Sequence, residues 1–128
     1  MEVFHPSKAR TSKPLLIYDG DCAFCRHWIT RWQSLTGDRI GFAPYQEVRE
    51  QFPTISAQEF AAAVHFIEPG GAVYRGAEAV LRCLAATERW RWLYGCYLRV
   101  PGVSFMADRL YCWVARNRGR LSRWMRLR

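Results

Sequence analysis

The sequence has no long apolar run, no internal repeat and no low-complexity segment. A helix that crosses a bilayer needs about 20 consecutive apolar residues, and no run here approaches that length. The first thirteen residues, "MEVFHPSKARTSK", lack the apolar core that a secretory signal needs. We therefore expect a cytoplasmic protein. Its 128 residues, half of them hydrophobic, suit one folded domain with one core.

Cysteines are few, and their number is odd. Five cysteines cannot all pair, which argues against a disulfide scaffold, and cytoplasmic thiols are kept reduced. Cys22 and Cys25 form a close pair, whereas Cys83, Cys96 and Cys112 are each more than ten residues from the next. A zinc site normally takes a second close pair of Cys or His ligands. Zinc binding is therefore only weakly indicated, and we expect no cofactor.

Acidic residues are nearly absent from the C-terminal third. Residues 82–128 carry eleven arginines against Glu88 and Asp108, a net charge of +9, whereas residues 1–81 carry −1. Four of the six tryptophans lie among these arginines: Trp90, Trp92, Trp113 and Trp124. A basic, Trp-bearing helix can lie on an anionic membrane surface, and arginines with aromatics can bind nucleic acid. We favour a third alternative, in which apolar faces pack on the core and the arginines are solvated; nucleic-acid binding is the weakest of the three.

Hydrophobic periodicity predicts alternating strands and helices over residues 14–87. Short apolar runs at 14–20 and 39–45 are typical of buried strands. Apolar residues at helical spacing lie between them, from Cys22 to a stop at Gly37. Because a helix joins these two strands, we expect them to pair in parallel.

A capping box and a hairpin complete this part of the chain. "SAQE" places Ser56 at the start of a helix that ends near Ala63, with Glu59 at its third position. Two β-rich runs flank "EPGG" within residues 64–76, and residues 77–87 have the composition of a helix. The predicted fold is therefore an α/β core with the order β-α-β-α-β-β-α.

Residues 88–128 have the pattern of a helical extension to the core of residues 14–87. A break at "PG" (101–102) divides the extension. After the break, large apolar side chains recur on one helix face, and we expect this stripe to pack on the core: Val103, Met106, Leu110, Trp113 and Val114. Residues 1–13 are expected to form a flexible tail.

The spacing of Cys22 and Cys25 suits a redox-active dithiol. We expect Asp21 to be the N-cap, which places Cys22 at the positive end of the helix dipole. A thiol there can have a pKa of roughly 3.5–7.5, and Arg26, four residues on, could add positive charge. Cys25 lies one turn further along the same face, where a resolving thiol is needed. Zinc binding and inert packing of two small apolar side chains remain alternatives.

Two residues before the pair could support it. Asp19 could take the proton of Cys25, or hold the loop through backbone N–H groups, or simply be a turn residue. Its carboxylate would raise thiol pKa values and so oppose the helix dipole. Gly20 is expected to supply backbone freedom in the tight turn.

The segment "LIYDGDCAFC" resembles the thiol-disulfide oxidoreductase DCC family, which has the pattern D-x-x-C-x-x-C, here Asp19, Cys22 and Cys25. The resemblance covers roughly residues 14–120 and continues at "FAPYQ" (42–46), "AVYRGAEAVLRCL" (72–84) and "YCWVARNRGR" (111–120).

This resemblance implies a thioredoxin-like fold with additional C-terminal helices. It implies that Cys22 is the nucleophile, that Cys25 resolves the mixed disulfide, and that the partner is a protein or small-molecule thiol or disulfide. Thioredoxins have a cis-proline before the third strand, and "AAAVHFI" has none. The resemblance therefore does not carry over thioredoxin's mode of substrate docking. The alternative function is a non-catalytic interaction module that docks on a membrane surface or on a protein partner through its basic, Trp-rich C-terminal helices.

Overall fold

The computed structural model of the protein describes residues 13–125. Its strands are β1 (Leu15–Tyr18), β2 (Gly41–Pro44), β3 (His65–Ile67) and β4 (Val73–Arg75). Its helices are α1 (Ala23–Thr36), α2 (Tyr45–Val48), α3 (Ala57–Ala62), α4 (Ala77–Leu84), α5 (Glu88–Arg99), α6 (Val103–Arg116) and α7 (Arg118–Trp124). Two 3₁₀ turns lie at Gly37–Arg39 and Arg49–Gln51. Apart from Lys13, the expected flexible tail lies outside the described residues.

The four strands form one mixed sheet in the order β2-β1-β3-β4. Strand β1 pairs in parallel with β2 and antiparallel with β3, and β3 and β4 form the antiparallel hairpin. The predicted order β-α-β-α-β-β-α is confirmed, with the short helix α2 as an addition. The fold is an α/β, thioredoxin-like core with additional C-terminal helices.

Local sequence signals account for several of the element ends. Ser56 Oγ accepts a hydrogen bond from the Glu59 N–H at 3.1 Å, and a Glu59 carboxylate oxygen accepts one from the Ser56 N–H at 2.8 Å, which confirms the capping box. Gly37 ends α1 with a φ of 60°, a conformation that other residues rarely adopt.

The sheet buries both of its faces. Successive residues of a strand point to opposite faces, so Leu16 packs with Ile29 and Phe66 on one side, whereas Ile17 packs with Phe52 on the other. Each β1 side chain named here is fully buried. This two-sided burial anchors β1, the strand that leads into the loop before α1.

The C-terminal helices contact the core, but through only part of the expected stripe, of which Val103 and Val114 are half-buried. Helices α5 and α6 contact α4, and α7 contacts α1. The predicted burial of Met106, Leu110 and Trp113 is wrong, because these side chains are 69%, 63% and 51% exposed. Helix α6 instead packs Tyr111 against the core, and the Tyr111 hydroxyl accepts a hydrogen bond from the Val64 N–H at 3.0 Å. With Tyr111 on the side of α6 that faces the core, the largest apolar side chains of this helix face solvent.

Among residues 13–125, no helix is both long enough and apolar enough to cross a bilayer.

Candidate dithiol site

The two cysteines lie where β1 passes into α1. Cys22 is itself the N-cap of α1, in an extended backbone conformation, and its Sγ accepts a hydrogen bond from the Cys25 N–H at 3.2 Å. The prediction that Asp21 caps this helix is therefore wrong. The Asp21 N–H donates to Asp19 Oδ1 at 3.0 Å, and the helix begins one residue later than expected. Both thiols are free and half-buried.

The two thiols shift each other's pKa values in opposite directions. The hydrogen bond from the Cys25 thiol lowers the pKa of Cys22 to about 6, although burial opposes this shift. The same hydrogen bond and burial raise the pKa of Cys25 far above its ordinary value. The pair therefore favours the thiolate on Cys22 and the protonated thiol on Cys25.

Arg118, the first residue of α7, brings a cation to this pair. Its Nη1 lies 3.5 Å from Cys25 Sγ, and its Nη2 donates to the Ala61 carbonyl oxygen at 2.5 Å. The guanidinium contributes to lowering the pKa of Cys22. Arg26, which we expected to supply positive charge, donates from Nη1 to the Gly20 carbonyl oxygen at 2.8 Å and so braces the loop. Sequence reasoning missed Arg118, although it lies within "YCWVARNRGR", one of the segments of the family resemblance.

Gln46, on α2, ties the loop before the cysteines together. Its Nε2 donates to Asp19 Oδ1 at 2.9 Å and to Asp21 Oδ2 at 3.3 Å, and its Oε1 accepts from the Gly20 N–H at 3.1 Å. One side chain therefore holds three consecutive residues of the loop. Gln46 was not predicted as a site residue. The feature of the sequence that could have indicated it is "FAPYQ", one of the segments of the family resemblance, in which Gln46 is the last residue.

Gly20 is needed for a different reason from the one expected. It is not among the glycines with positive φ. A Cβ atom at this position would lie 2.8 Å from Pro44 Cβ and 3.1 Å from Gln46 Oε1, which is closer than normal contacts allow. Gly20 therefore permits the close approach of the loop to β2, and backbone freedom is not its role.

A cavity of about 360 Å³ opens beside Cys25, between α1, α4 and α6. Its walls are almost entirely apolar, and Arg118 lies at the Cys25 end. The lining from α1 and α4 includes Phe24, Trp28, Trp32, Val80 and Leu81, and that from α6 includes Ala107, Leu110, Tyr111, Val114 and Ala115.

Cys83, Cys96 and Cys112 do not line the cavity. Cys83 is fully buried in the core, and burial raises its pKa to about 12, so its thiol is unreactive. Cys112 is exposed. Within the described part of the chain, no group of three or more His, Cys, Asp or Glu side chains is arranged to hold a metal ion.

Comparison with known proteins identifies the family. The model of the DCC1-like thiol-disulfide oxidoreductase family matches residues 16–124, a span that runs from β1 to α7 and includes both cysteines, Gln46 and Arg118. Searches of the curated proteins and of the solved structures returned no match. Because the matched span covers most of the chain, the protein belongs to the DCC1-like thiol-disulfide oxidoreductase family.

Proposed function

We propose that the protein is an enzyme that exchanges thiols and disulfides, with Cys22 as nucleophile and Cys25 as resolving thiol. The observation that carries the proposal is the position of Cys22 Sγ at the N-cap, where it accepts a hydrogen bond from the Cys25 N–H. Thiolates are the reacting species in disulfide exchange, and a cysteine at a helix N-terminus is held in that form.

The reaction proceeds in two balanced exchanges. In the first, the Cys22 thiolate attacks one sulfur of the substrate disulfide; a bond forms between Cys22 Sγ and that sulfur, and the other substrate sulfur leaves as a thiolate that takes up a proton. In the second, Cys25 loses its proton and attacks Cys22 Sγ, which forms the Cys22–Cys25 disulfide and releases the second substrate thiol. The substrate gains two electrons, and the protein dithiol loses two.

In the second exchange Cys25 must lose its proton, so its pKa must fall once the mixed disulfide has formed. The hydrogen bond to the Cys22 thiolate and the charge of that thiolate both raise the pKa of Cys25. Both vanish when Cys22 is bound in the mixed disulfide. The Arg118 guanidinium, which lies 3.5 Å from Cys25 Sγ in the free dithiol, then favours the Cys25 thiolate. Arg118 thus assists the thiolate of each step in turn.

The loop residues act as positioning residues. Asp19 Oδ1 accepts hydrogen bonds from the Asp21 N–H and from Gln46 Nε2, which favours a loop-holding role over proton relay. The Asp19 carboxylate also raises the pKa of Cys22 slightly against the other influences. Gly20 and Arg26 keep the loop close to β2 and α1. A reducing compartment such as the cytoplasm would return the oxidised pair to the dithiol.

Trapping experiments with single cysteine variants test this assignment. Cys25→Ser should accumulate a mixed disulfide through Cys22, because the resolving thiol is missing, and Cys22→Ser should accumulate none. Cys112→Ser is the matched control, since that thiol is exposed and outside the site, and it should exchange as the wild type does. Normal turnover by the double variant Cys22→Ser/Cys25→Ser would contradict the proposal.

A second candidate function is docking on an anionic membrane surface through α6. Phe105, Met106, Leu110 and Trp113 are exposed on this helix, and exposed apolar clusters of this kind mark interaction surfaces. Arg109 and Arg116 are exposed on the same helix, which suits anionic lipid headgroups.

Vesicle binding separates the two candidates. Docking predicts sedimentation with anionic vesicles, little with zwitterionic ones, and loss of binding as salt rises. Trp113→Glu should weaken it, whereas Trp32→Phe, on the far side of the cavity, should not. Failure to bind anionic vesicles at low salt would rule out this second function and leave the dithiol chemistry untouched.

A further inference from the structure

The apolar cavity is continuous with the redox centre. Phe24, which stands between the two cysteines in sequence, and Cys25 itself both line it. Cys22 Sγ lies 3.2 Å from the backbone nitrogen of Cys25. Cys22 is not among the lining residues, so a group seated against Cys25 reaches Cys22 through a sulfur at the Cys25 end of the cavity.

The cavity is the size of a ligand site. A cavity of about 150 Å³ with apolar walls admits benzene, and ligand sites begin at about 300 Å³. At about 360 Å³ this cavity has room for a group larger than one aromatic ring. Leu110 lines it and is also 63% exposed, so the cavity opens to solvent on the α6 side.

The walls select for an apolar occupant. Trp28, Trp32 and Leu81 face Leu110 and Val114 across the cavity. A polar group placed among these side chains would lose its hydrogen bonds to water and find a donor only in the unpaired Trp28 Nε1–H, whereas an apolar group gains from leaving water. The polar tripeptide portion of a glutathione-type disulfide would not fit this environment.

We propose that the cavity binds an aryl or long alkyl group carried next to the disulfide of a small-molecule substrate, so that the protein reduces apolar disulfides in preference to polar ones. This inference rests on the proposed dithiol chemistry and adds the substrate class. The sulfur attached to the apolar group bonds to Cys22, and the other sulfur leaves as the first thiol. Cys25 then attacks Cys22 Sγ and releases the apolar thiol, so one disulfide becomes two thiols as the protein dithiol becomes a disulfide.

The test compares two disulfides whose thiols have similar acidity. One is naphthylmethyl 2-hydroxyethyl disulfide, and the other is bis(2-hydroxyethyl) disulfide. The reduced full-length protein is mixed with each, and the second-order rate of Cys22–Cys25 oxidation is measured. We expect the naphthylmethyl compound to react about tenfold to a hundredfold faster, as burial of a large apolar group implies.

Two variants tie that ratio to the cavity. Ala107→Trp fills the space, and Leu110→Glu places a charge at its mouth; either should bring the ratio of the two rates close to one. Ala72→Trp, at an exposed alanine of the β3–β4 hairpin, is the matched control and should keep the wild-type ratio.

The outcomes distinguish this inference from the dithiol chemistry. Equal rates for the two disulfides in the wild type would overturn the substrate class and leave the dithiol function standing. This is the result expected if a second copy of the chain covers the cavity. A preference that survives both cavity variants would also overturn it. Failure to reduce either disulfide would overturn the proposed function itself.

Discussion

Arg118 Nη1 lies 3.5 Å from Cys25 Sγ, although 93 residues separate the two in sequence. The same guanidinium donates to the Ala61 carbonyl oxygen in the last turn of α3, so α7 is anchored to the core at the dithiol. The basic C-terminal helices therefore present most of their arginines to solvent but place one, Arg118, beside the cysteine pair.

The reactivity of Cys22 should follow its lowered pKa. Alkylation of the reduced protein should label Cys22 before Cys25, with a rate that rises as the pH passes through about 6 and then levels off. An unperturbed thiol would show its rise near pH 8.5. Mass spectrometry of the labelled peptides gives both the order and the midpoint. Faster labelling of Cys25 would reverse the assigned roles.

Removal of the Arg118 charge should raise the pKa of Cys22. We expect Arg118→Met to move the midpoint of alkylation upward by about one pKa unit, because a nearby opposite charge stabilises the thiolate. Release of the second thiol should also slow, since Cys25 loses its cation. Arg118→Lys keeps the positive charge and should therefore bring the midpoint and the release rate part of the way back to the wild-type values. Arg120→Met, at an exposed position on the same helix, should change neither the midpoint nor the release rate. A midpoint that stays at the wild-type value in Arg118→Met would remove Arg118 from the mechanism.

Asp19→Asn should change exchange kinetics while the protein stays folded. The carboxylate raises the pKa of Cys22, so its loss should lower the midpoint of the alkylation profile. The amide can still accept the hydrogen bonds from the Asp21 N–H and Gln46 Nε2, which should preserve the loop. Asp38→Asn, at an exposed carboxylate beyond α1, is the control. Identical kinetics from pH 5 to 9 would reduce Asp19 to a turn residue.

The C-terminal helices should be required for folding of the core. Truncation after Thr87 removes Tyr111 and Arg118, and it leaves the Val64 N–H without its partner. We expect an insoluble or molten product. Cooperative thermal unfolding of residues 1–87 alone would contradict this prediction.

Tyr111→Phe should lower the free energy of unfolding by about 1–3 kcal/mol, the cost of an unsatisfied buried donor. Tyr97→Phe, which removes an exposed hydrogen bond to Asp108, should cost less.

Local patterns in the sequence predicted most of the fold. The alternation between strand and helix periods, the capping box at Ser56 and the hairpin around "EPGG" each depend on residues within a few positions of one another. The family resemblance added the thioredoxin-like class and the assignment of roles to Cys22 and Cys25.

Features that depend on tertiary contacts could not be predicted in the same way. Arg118 and Gln46 reach the loop from distant elements, and nothing in their immediate sequence indicates that contact. The buried face of α6 was misplaced because the size of apolar side chains, taken alone, does not reveal that Tyr111 would bind the Val64 N–H. The cap was misplaced by one residue because the thiol of Cys22 replaces the carboxylate of Asp21 as acceptor.

Equilibration of the protein in glutathione buffers of graded redox poise tests the central claim most directly. After acid quenching and alkylation, mass spectrometry of the peptide that contains Cys22 and Cys25 gives the oxidised fraction at each poise. The dithiol mechanism predicts a single reversible transition to an intramolecular Cys22–Cys25 disulfide, with Cys83 reduced throughout. Two thiols that remain separate across the whole range, or that oxidise only irreversibly, would contradict it.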